Sequence, residues 1–314
     1  MITFGPVPSR RLGQSLGINN IPPKSCTYSC VYCQLGRTKK LEAQRRPFYK
    51  PEDIKHSVLK KIELAEKRGE PIDYLTFVPD GEPTLDINIG TEIDLIRETG
   101  VKIAVITNSS LIWDERVRDD LKKADWVSVK IDSMQDDMWH KINRPHRSLE
   151  LAKILDGIKR FATEFQGRLV TETMLVRDLN DSEEQILQIA SFLKQISPDT
   201  SCLSIPTRPP AGKWVQPPNE ETLIRAYHIL KSAIKNVEYL IGYEGNAFAF
   251  TGDVKNDLLA ITAVHPMREE AVYEFLQKAE SDWSAVDLLI KNGLMVKKTF
   301  QAKTFYARKL FAHE

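Results

Sequence analysis

The chain has 314 residues and a near-equal charge balance, 44 lysines and arginines against 43 aspartates and glutamates, for a formal net charge of +1. That length suits one large α/β domain with a small one beside it, and the balance excludes a global pull toward nucleic acid or an anionic membrane. The N-terminus, Met-Ile-Thr-Phe-Gly-Pro, has no basic-then-apolar signal pattern, and no apolar run is long enough to span a bilayer.

Ser15 to Ile21 reads as a first strand, ended by Pro22 and Pro23. Directly after it comes Cys26-Thr27-Tyr28-Ser29-Cys30-Val31-Tyr32-Cys33, which holds three of the four cysteines. Their spacing is C-x3-C-x2-C. A [4Fe–4S] cluster is normally held by four thiolates, one per iron. Three on one short loop leave an iron open to a small molecule, which points to chemistry rather than electron storage. Tyr32, beside the third cysteine, is placed to lie against a cluster and a bound purine ring. A zinc site would need a fourth ligand, usually from a second short Cys or His pair; the chain has none, and the next histidine is His56. A disulfide framework suits small secreted chains. Clustered cysteines of this kind fit a reducing cytoplasm. Cys202 stands alone in an apolar run and reads as a small buried hydrophobe.

The octet resembles the signature of the radical S-adenosylmethionine (SAM) enzymes, C-x3-C-x-aromatic-C, and Cys26, Cys30, Tyr32 and Cys33 match it position by position. The resemblance implies a cluster whose open iron is chelated by SAM. An electron from the reduced cluster cleaves SAM to methionine and a 5′-deoxyadenosyl radical, which abstracts hydrogen from a substrate. It also implies a flavodoxin- or ferredoxin-type reductant.

After the octet comes a basic, polar stretch with Arg37, Lys39, Lys40, Arg45 and Arg46. Pro51 then opens an amphipathic helix to about Arg68, with Ile54, Val58, Leu59, Ile62 and Ala65 at helical spacing. From there strand and helix alternate. Strands are expected at Asp73–Val78, Val101–Ile106, Trp126–Ile131, Leu169–Val176 and Cys202–Ile205, with a last one at Tyr239–Gly242. Helices are expected at Ile87–Glu98, stopped by Gly100, at Asp114–Lys123, in patterns up to Phe165, from Asp181 or Ser182 to Gln195, and at Glu220–Lys235. Such alternation predicts a parallel sheet with right-handed crossovers. The fold class is α/β. A partial (β/α)6 TIM-like barrel over residues 1–252 is the best fit and is the core the resemblance implies; a doubly wound sheet is the alternative. Both place chemistry at the carboxyl ends of the strands.

Polar residues gather at those ends. Pro79-Asp80-Gly81-Glu82-Pro83-Thr84 resembles the family's Gly-Gly-Glu motif, which contacts the amino group of SAM. Gly81 and Glu82 match and Pro83 follows them, while Asp80 replaces the first glycine. An ordinary turn is the plain reading of the same residues. Thr107-Asn108 resembles family positions near SAM, or else caps the next helix. On the fourth strand Ser128, Lys130 and Asp132 alternate with apolar residues, where a buried parallel strand should be apolar on both faces. The resemblance places such residues around the SAM ribose and carboxylate; a structural Lys130–Asp132 pair is the alternative. Arg144, Glu172, Arg208 and Glu244 are candidate substrate contacts.

The tail changes character near Gly252. Asp257–Val264, Arg268–Ala279 and Ser284–Lys291 read as helices, and Leu294–Phe300 and Thr304–Leu310 as strands. Over residues 253–314 this resembles a winged helix-turn-helix, a fold that does not fix function. Its third helix is a poor DNA reader, while the hairpin carries Lys297, Lys298, Lys303, Arg308 and Lys309.

Three enzyme substrates are compatible with these features. RNA would pass the basic stretch beside the octet. The chain is similar to the group containing the tRNA wyosine-forming enzymes, although it lacks their second cysteine set, so the same tRNA reaction does not carry over. A peptide gripped by the tail, or a small metabolite, is the alternative. An iron–sulfur electron carrier is the reading from a different class, and the missing fourth cysteine argues against it. Nothing in the sequence sets the oligomeric state.

Overall fold

The computed structural model describes residues 2–242 and 245–309. Thr3–Ser9 (β1) and Gly13–Ile18 (β2) form an antiparallel hairpin, and a long loop leads to Pro51–Glu66 (α1). Tyr74–Phe77 (β3), Ile89–Ile96 (α2), Lys102–Thr107 (β4), Glu115–Leu121 (α3) and Trp126–Lys130 (β5) follow. Asp136–Asn143 (α4), Leu151–Glu164 (α5), Arg168–Met174 (β6), Glu183–Ile196 (α6), Thr200–Ser204 (β7), Glu220–Ala233 (α7) and Val237–Leu240 (β8) complete the larger unit. The last described elements are Val254–Val264 (α8), Met267–Arg268 (β9), Glu269–Lys278 (α9), Ser284–Lys291 (α10), Met295–Phe300 (β10) and Lys303–Arg308 (β11).

Local chemistry explains several boundaries. Pro51 starts α1 with Glu52 and Asp53 in the first turn, where an N-terminus favours missing N–H groups and negative charge. Side chains of Asp114, Ser182 and Asn219 accept backbone N–H groups at the starts of α3, α6 and α7. A 3-10 turn after α2 ends on Gly100 at φ 73°, a left-handed position that glycine takes without strain.

Strands β1 to β8 form one sheet in chain order, with β2 to β8 parallel. Successive crossovers curl this sheet into a partial barrel. Side chains on a strand alternate between faces. Val127 and Val129 of β5 join the main core between sheet and helices. Trp126, Ser128 and Lys130 face the other way, where Trp126 joins Leu12, Ala104, Val170, Cys202 and Leu240 in a second apolar group. On β5 this group takes Trp126 at the amino end, and the polar Ser128 and Lys130 follow toward the carboxyl end. Cys202 is buried there, as its apolar context suggested.

Strand β1 did not stand out in the sequence. Gly5, Pro6 and Pro8 read as strand breakers, yet proline is tolerated on an edge strand, and β1 is the edge of this sheet. The outer face of β1 meets the C-terminal unit. Phe4 and Val7 share an apolar cluster with Phe248, Leu258, Ile261, Val272, Phe275 and Met295. In that unit β9, β10 and β11 form an antiparallel sheet in the order β10-β11-β9.

Candidate active site

The octet lies in the loop after β2, beside the carboxyl ends of the strands. Backbone bonds hold it from several sides. Lys24 N donates to Asp80 O (2.7 Å) and Glu82 N to Ser25 O (3.0 Å) from the turn after β3. Ser29 N and Val31 N donate to Asn143 O (3.0 Å) and Ile142 O (2.9 Å) at the end of α4, and Gly212 N donates to Val31 O (2.8 Å) from the loop after β7. Thr27, Tyr28 and Val31 are buried beneath these contacts.

The three thiols are free, and each faces a nitrogen donor from elsewhere in the chain. Asn108 Nδ2 lies 3.6 Å from Cys26 Sγ, Asn143 Nδ2 3.5 Å from Cys30 Sγ, and Lys24 Nζ 3.9 Å from Cys33 Sγ. Burial raises the Cys26 thiol strongly, and repulsion from Cys30 and Cys33 adds to it. Burial pushes Cys30 up to about 12, against the hydrogen bond from Asn143. Three sulfurs that repel one another, each facing its own N–H donor, form a donor set that suits positive charge between them. No three Cys, His, Asp or Glu side chains among the described residues close on a point as around a single metal ion. A cluster does not ask for that, because each thiolate binds a different iron.

The turn after β3 packs on this loop. A Cβ at Gly81 would lie 1.9 Å from the Ser25 carbonyl oxygen, so only glycine admits this approach. Glu82 is fully buried. Its Oε1 accepts from Thr84 N (3.1 Å), Thr84 Oγ1 (2.6 Å) and Thr107 Oγ1 (2.6 Å), and its Oε2 from Asn108 N (2.7 Å). Burial raises its pKa, and these donors oppose the shift. Thr107 and Asn108 therefore serve Glu82 and the Cys26 loop rather than capping a helix, since α3 is capped by Asp114. Pro83 accepts from Asn20 Nδ2 through its carbonyl (3.1 Å).

A polar column runs up the concave face. Arg11, in the β1–β2 turn, reaches Glu172 Oε2 (2.6 Å) and Ser128 Oγ (3.3 Å) and lies over the Trp126 ring. Glu172 also accepts from Lys130 Nζ (2.7 Å) and Ser204 Oγ (2.9 Å). Burial works to raise the Glu172 carboxyl, but Lys130 and Arg11 overcome it and hold the group well below the usual carboxylate range. Lys130 sits above the Tyr32 ring, 5.1 Å from its centroid. The Tyr32 hydroxyl donates to Asp132, which also accepts from Asn143 Nδ2 (2.8 Å) and Met174 N (2.9 Å). Lys130 thus takes Glu172 as its ion-pair partner rather than Asp132.

Other candidates lie around this centre. Arg144 ends α4 in the left-handed region (φ 46°) and meets the loop through its carbonyl, which accepts from Ser29 N (3.2 Å). Arg208 bonds Gln34 Oε1 (2.7 Å) and contacts His265 at the end of α8. Glu244 lies outside the described residues. In the basic stretch, Arg45 is not a surface charge. Its guanidinium bonds Thr84 O, Asp86 O and Asp120 and clamps the turn after β3. Arg46 pairs with Glu42 and lies over Phe48. Sequence reasoning missed Arg11 and Asn143, whose immediate neighbours carry no signal of their contacts.

Residues 20–190 match the family model described as the radical SAM superfamily. The chain is 47% identical over 311 residues to UPF0026 protein MJ1312 of Methanocaldococcus jannaschii, covering 98% of this chain and 96% of that protein. Among solved structures, TYW1 with a lysine-pyruvate adduct bound is similar with a TM-score of 0.52 at 15% identity, covering 69% of this chain and 73% of that one. SuiB of Streptococcus suis bound to precursor peptide SuiA is similar with a TM-score of 0.53 at 15% identity, covering 72% and 49%. At such identities the two structures speak to the fold alone.

Proposed function

Because the chain belongs to the radical SAM superfamily, we propose that Cys26, Cys30 and Cys33 are the protein ligands of its [4Fe–4S] cluster and that the RNA of a host cell supplies the substrate. The protein is an enzyme of radical chemistry that uses a [4Fe–4S] cluster and SAM. When bound, these supply reductive cleavage of SAM to a 5′-deoxyadenosyl radical that takes hydrogen from the substrate.

The chain's own residues support distinct tasks. Asn108, Asn143 and Lys24 direct N–H groups at the three sulfurs and orient them. Glu82 offers Oε2, which accepts one protein hydrogen bond, to the ammonium of SAM. Gly81 and Pro83 set the turn that aims it. Ser128, Lys130 and Asp132 line the way to the remainder of SAM, with Tyr32 held in place by Asp132. Arg208 and Glu172 face the substrate side, and a second domain begins near residue 253. A flavodoxin- or ferredoxin-type protein is the electron donor, in the cytoplasm.

One observation carries the substrate class. A groove of about 650 Å³ is lined by Lys40, Arg46 and His146 together with Glu42, Gln44 and Ser148. It is fastened to the cysteine loop on both sides, through the Cys26–Leu41 bridge and through His146 N to Thr27 O (2.8 Å). A groove that carries Lys40 beside the Arg46–Glu42 pair and is tied to the cysteine loop suits a phosphate backbone, whose binding falls steeply with salt.

The test is anaerobic reconstitution with reductant and SAM, quantifying 5′-deoxyadenosine with host RNA, with nuclease-treated RNA and with neither. Stimulation by intact RNA, abolished in Cys26→Ala, Cys30→Ala or Cys33→Ala, is the expected result. Release that RNA leaves unchanged would reject RNA and move the search to peptides and metabolites. No deoxyadenosine from protein with a confirmed cluster would overturn the assignment of SAM cleavage to this site.

A further inference from the structure

Asp80 occupies the place where the turn departs from the Gly-Gly-Glu pattern, and the structure gives that departure a partner. Its backbone belongs to the site: its N–H donates to Asn19 Oδ1 (3.2 Å), and its carbonyl accepts from Lys24 N (2.7 Å), two residues before Cys26. Its side chain points the other way and is 2% exposed. The Oδ1 atom is buried without a hydrogen-bond partner. A cavity of about 20 Å³ opens beside it, lined by Asn19, Ile21, Pro23, Ala260 and Ala263 of α8, and Arg308 of β11. That volume admits about one water molecule, enough to relay a hydrogen bond between a guanidinium and a carboxylate.

We propose that Arg308, on the C-terminal hairpin, is a positioning residue for the cofactor turn: it neutralises the buried Asp80 carboxylate and so holds Gly81 and Glu82 in register with the cysteine loop. The inference rests on the reading that this turn serves SAM. A buried carboxylate is costly unless a cation faces it. Burial raises Asp80 to about 7, and Arg308 is the largest influence opposing that rise, with Lys24 next. Lys24 already donates to Gly36 O (2.6 Å) and faces Cys33. Without Arg308 the carboxylate draws on Lys24, and the disturbance passes straight into the residues around Cys26 and Gly81. The C-terminal unit therefore completes the cofactor site from behind.

The test compares wild type, Arg308→Met, Asp80→Asn and the double variant, each reconstituted with iron and sulfide. Iron per chain, thermal midpoint and SAM affinity by equilibrium dialysis are measured on each. We expect Arg308→Met to bind SAM about tenfold more weakly, a coupling of the size found for residues in one network, with iron content unchanged and the protein folded at the assay temperature. Asp80→Asn removes the charge that needs Arg308. The double variant should then bind SAM within about twofold of Asp80→Asn alone. Wild-type affinity in Arg308→Met overturns the inference, as does a double variant whose loss equals the product of the two single losses. Wild-type protein that holds iron yet binds no SAM would bring down the function reading itself, and this inference with it.

Discussion

Lys130 and Glu172 sit opposite each other in register on β5 and β6, and their side chains join Nζ to Oε1 at 2.7 Å on the concave face. Arg11 reaches the second oxygen of the same carboxylate from the opposite end of the strands. Glu172 therefore balances two buried cations. Its replacement by Gln removes the carboxylate that both cations bond and should destabilise the fold by about 3–5 kcal/mol, the usual cost of breaking a buried pair from one side. Urea unfolding of Glu172→Gln checks this; a loss below about 1 kcal/mol would refute the balance.

The same carboxylate sets an acid limit. Its folded pKa is depressed, so its contribution is present above the ordinary carboxyl range and is lost as pH falls through the folded value. Stability of the wild type should fall on acidification below about pH 4.5, the ordinary Glu value. In Glu172→Gln that part of the dependence should vanish. Denaturation midpoints measured from pH 6 downward on both proteins give the comparison.

Glu92 predicts the opposite dependence. It is fully buried under the turn after β3, neither of its oxygens has a donor, and Asp86 beside it has an unpartnered Oδ2. Burial, then repulsion from Asp86, raises Glu92 above the usual range. A raised folded pKa contributes stability that is complete below the unfolded value and is lost as pH rises through the folded one. Alkaline pH should weaken the wild type. Glu92→Gln, which cannot ionise, should flatten the alkaline limb of a midpoint-against-pH curve.

Gly81→Ala places a methyl 1.9 Å from the Ser25 carbonyl oxygen. Backbone cannot yield as a side-chain tip can, so the turn must shift from the cysteine loop. A stability loss of about 1–3 kcal/mol is expected from the overpacking, and SAM affinity should fall further than stability does. Thermal melting and SAM dialysis on one preparation separate the two effects.

Arg45 and Lys40 should part company despite their proximity in the chain. Arg45→Met breaks the clamp on Thr84, Asp86 and Asp120 and should cost about 1–3 kcal/mol of stability. Lys40→Ala, on the exposed groove wall, should leave stability within about 0.5 kcal/mol of wild type. It should also lower the slope of log affinity for RNA against log salt by about one. An unchanged slope would remove Lys40 from the RNA track.

Much of this protein is local and could be read along the chain. The C-x3-C-x2-C spacing is a property of eight residues. The β/α alternation shows because a strand buried on both faces and an amphipathic helix have different apolar periods. Even the polar row Ser128, Lys130 and Asp132 stood out, since it breaks the pattern of a buried parallel strand. Tertiary structure alone decided what those side chains do. Arg11 meets Glu172 across 161 positions, and Asn143 meets Cys30 across 113. Nothing near Arg11 distinguishes it from its neighbour Arg10, and nothing near Arg45 distinguishes a clamp from a surface cation. Periodicity reports which face of an element is apolar. Which distant charge closes on which carboxylate depends on the curl and register of the sheet, and those exist only once the chain has folded.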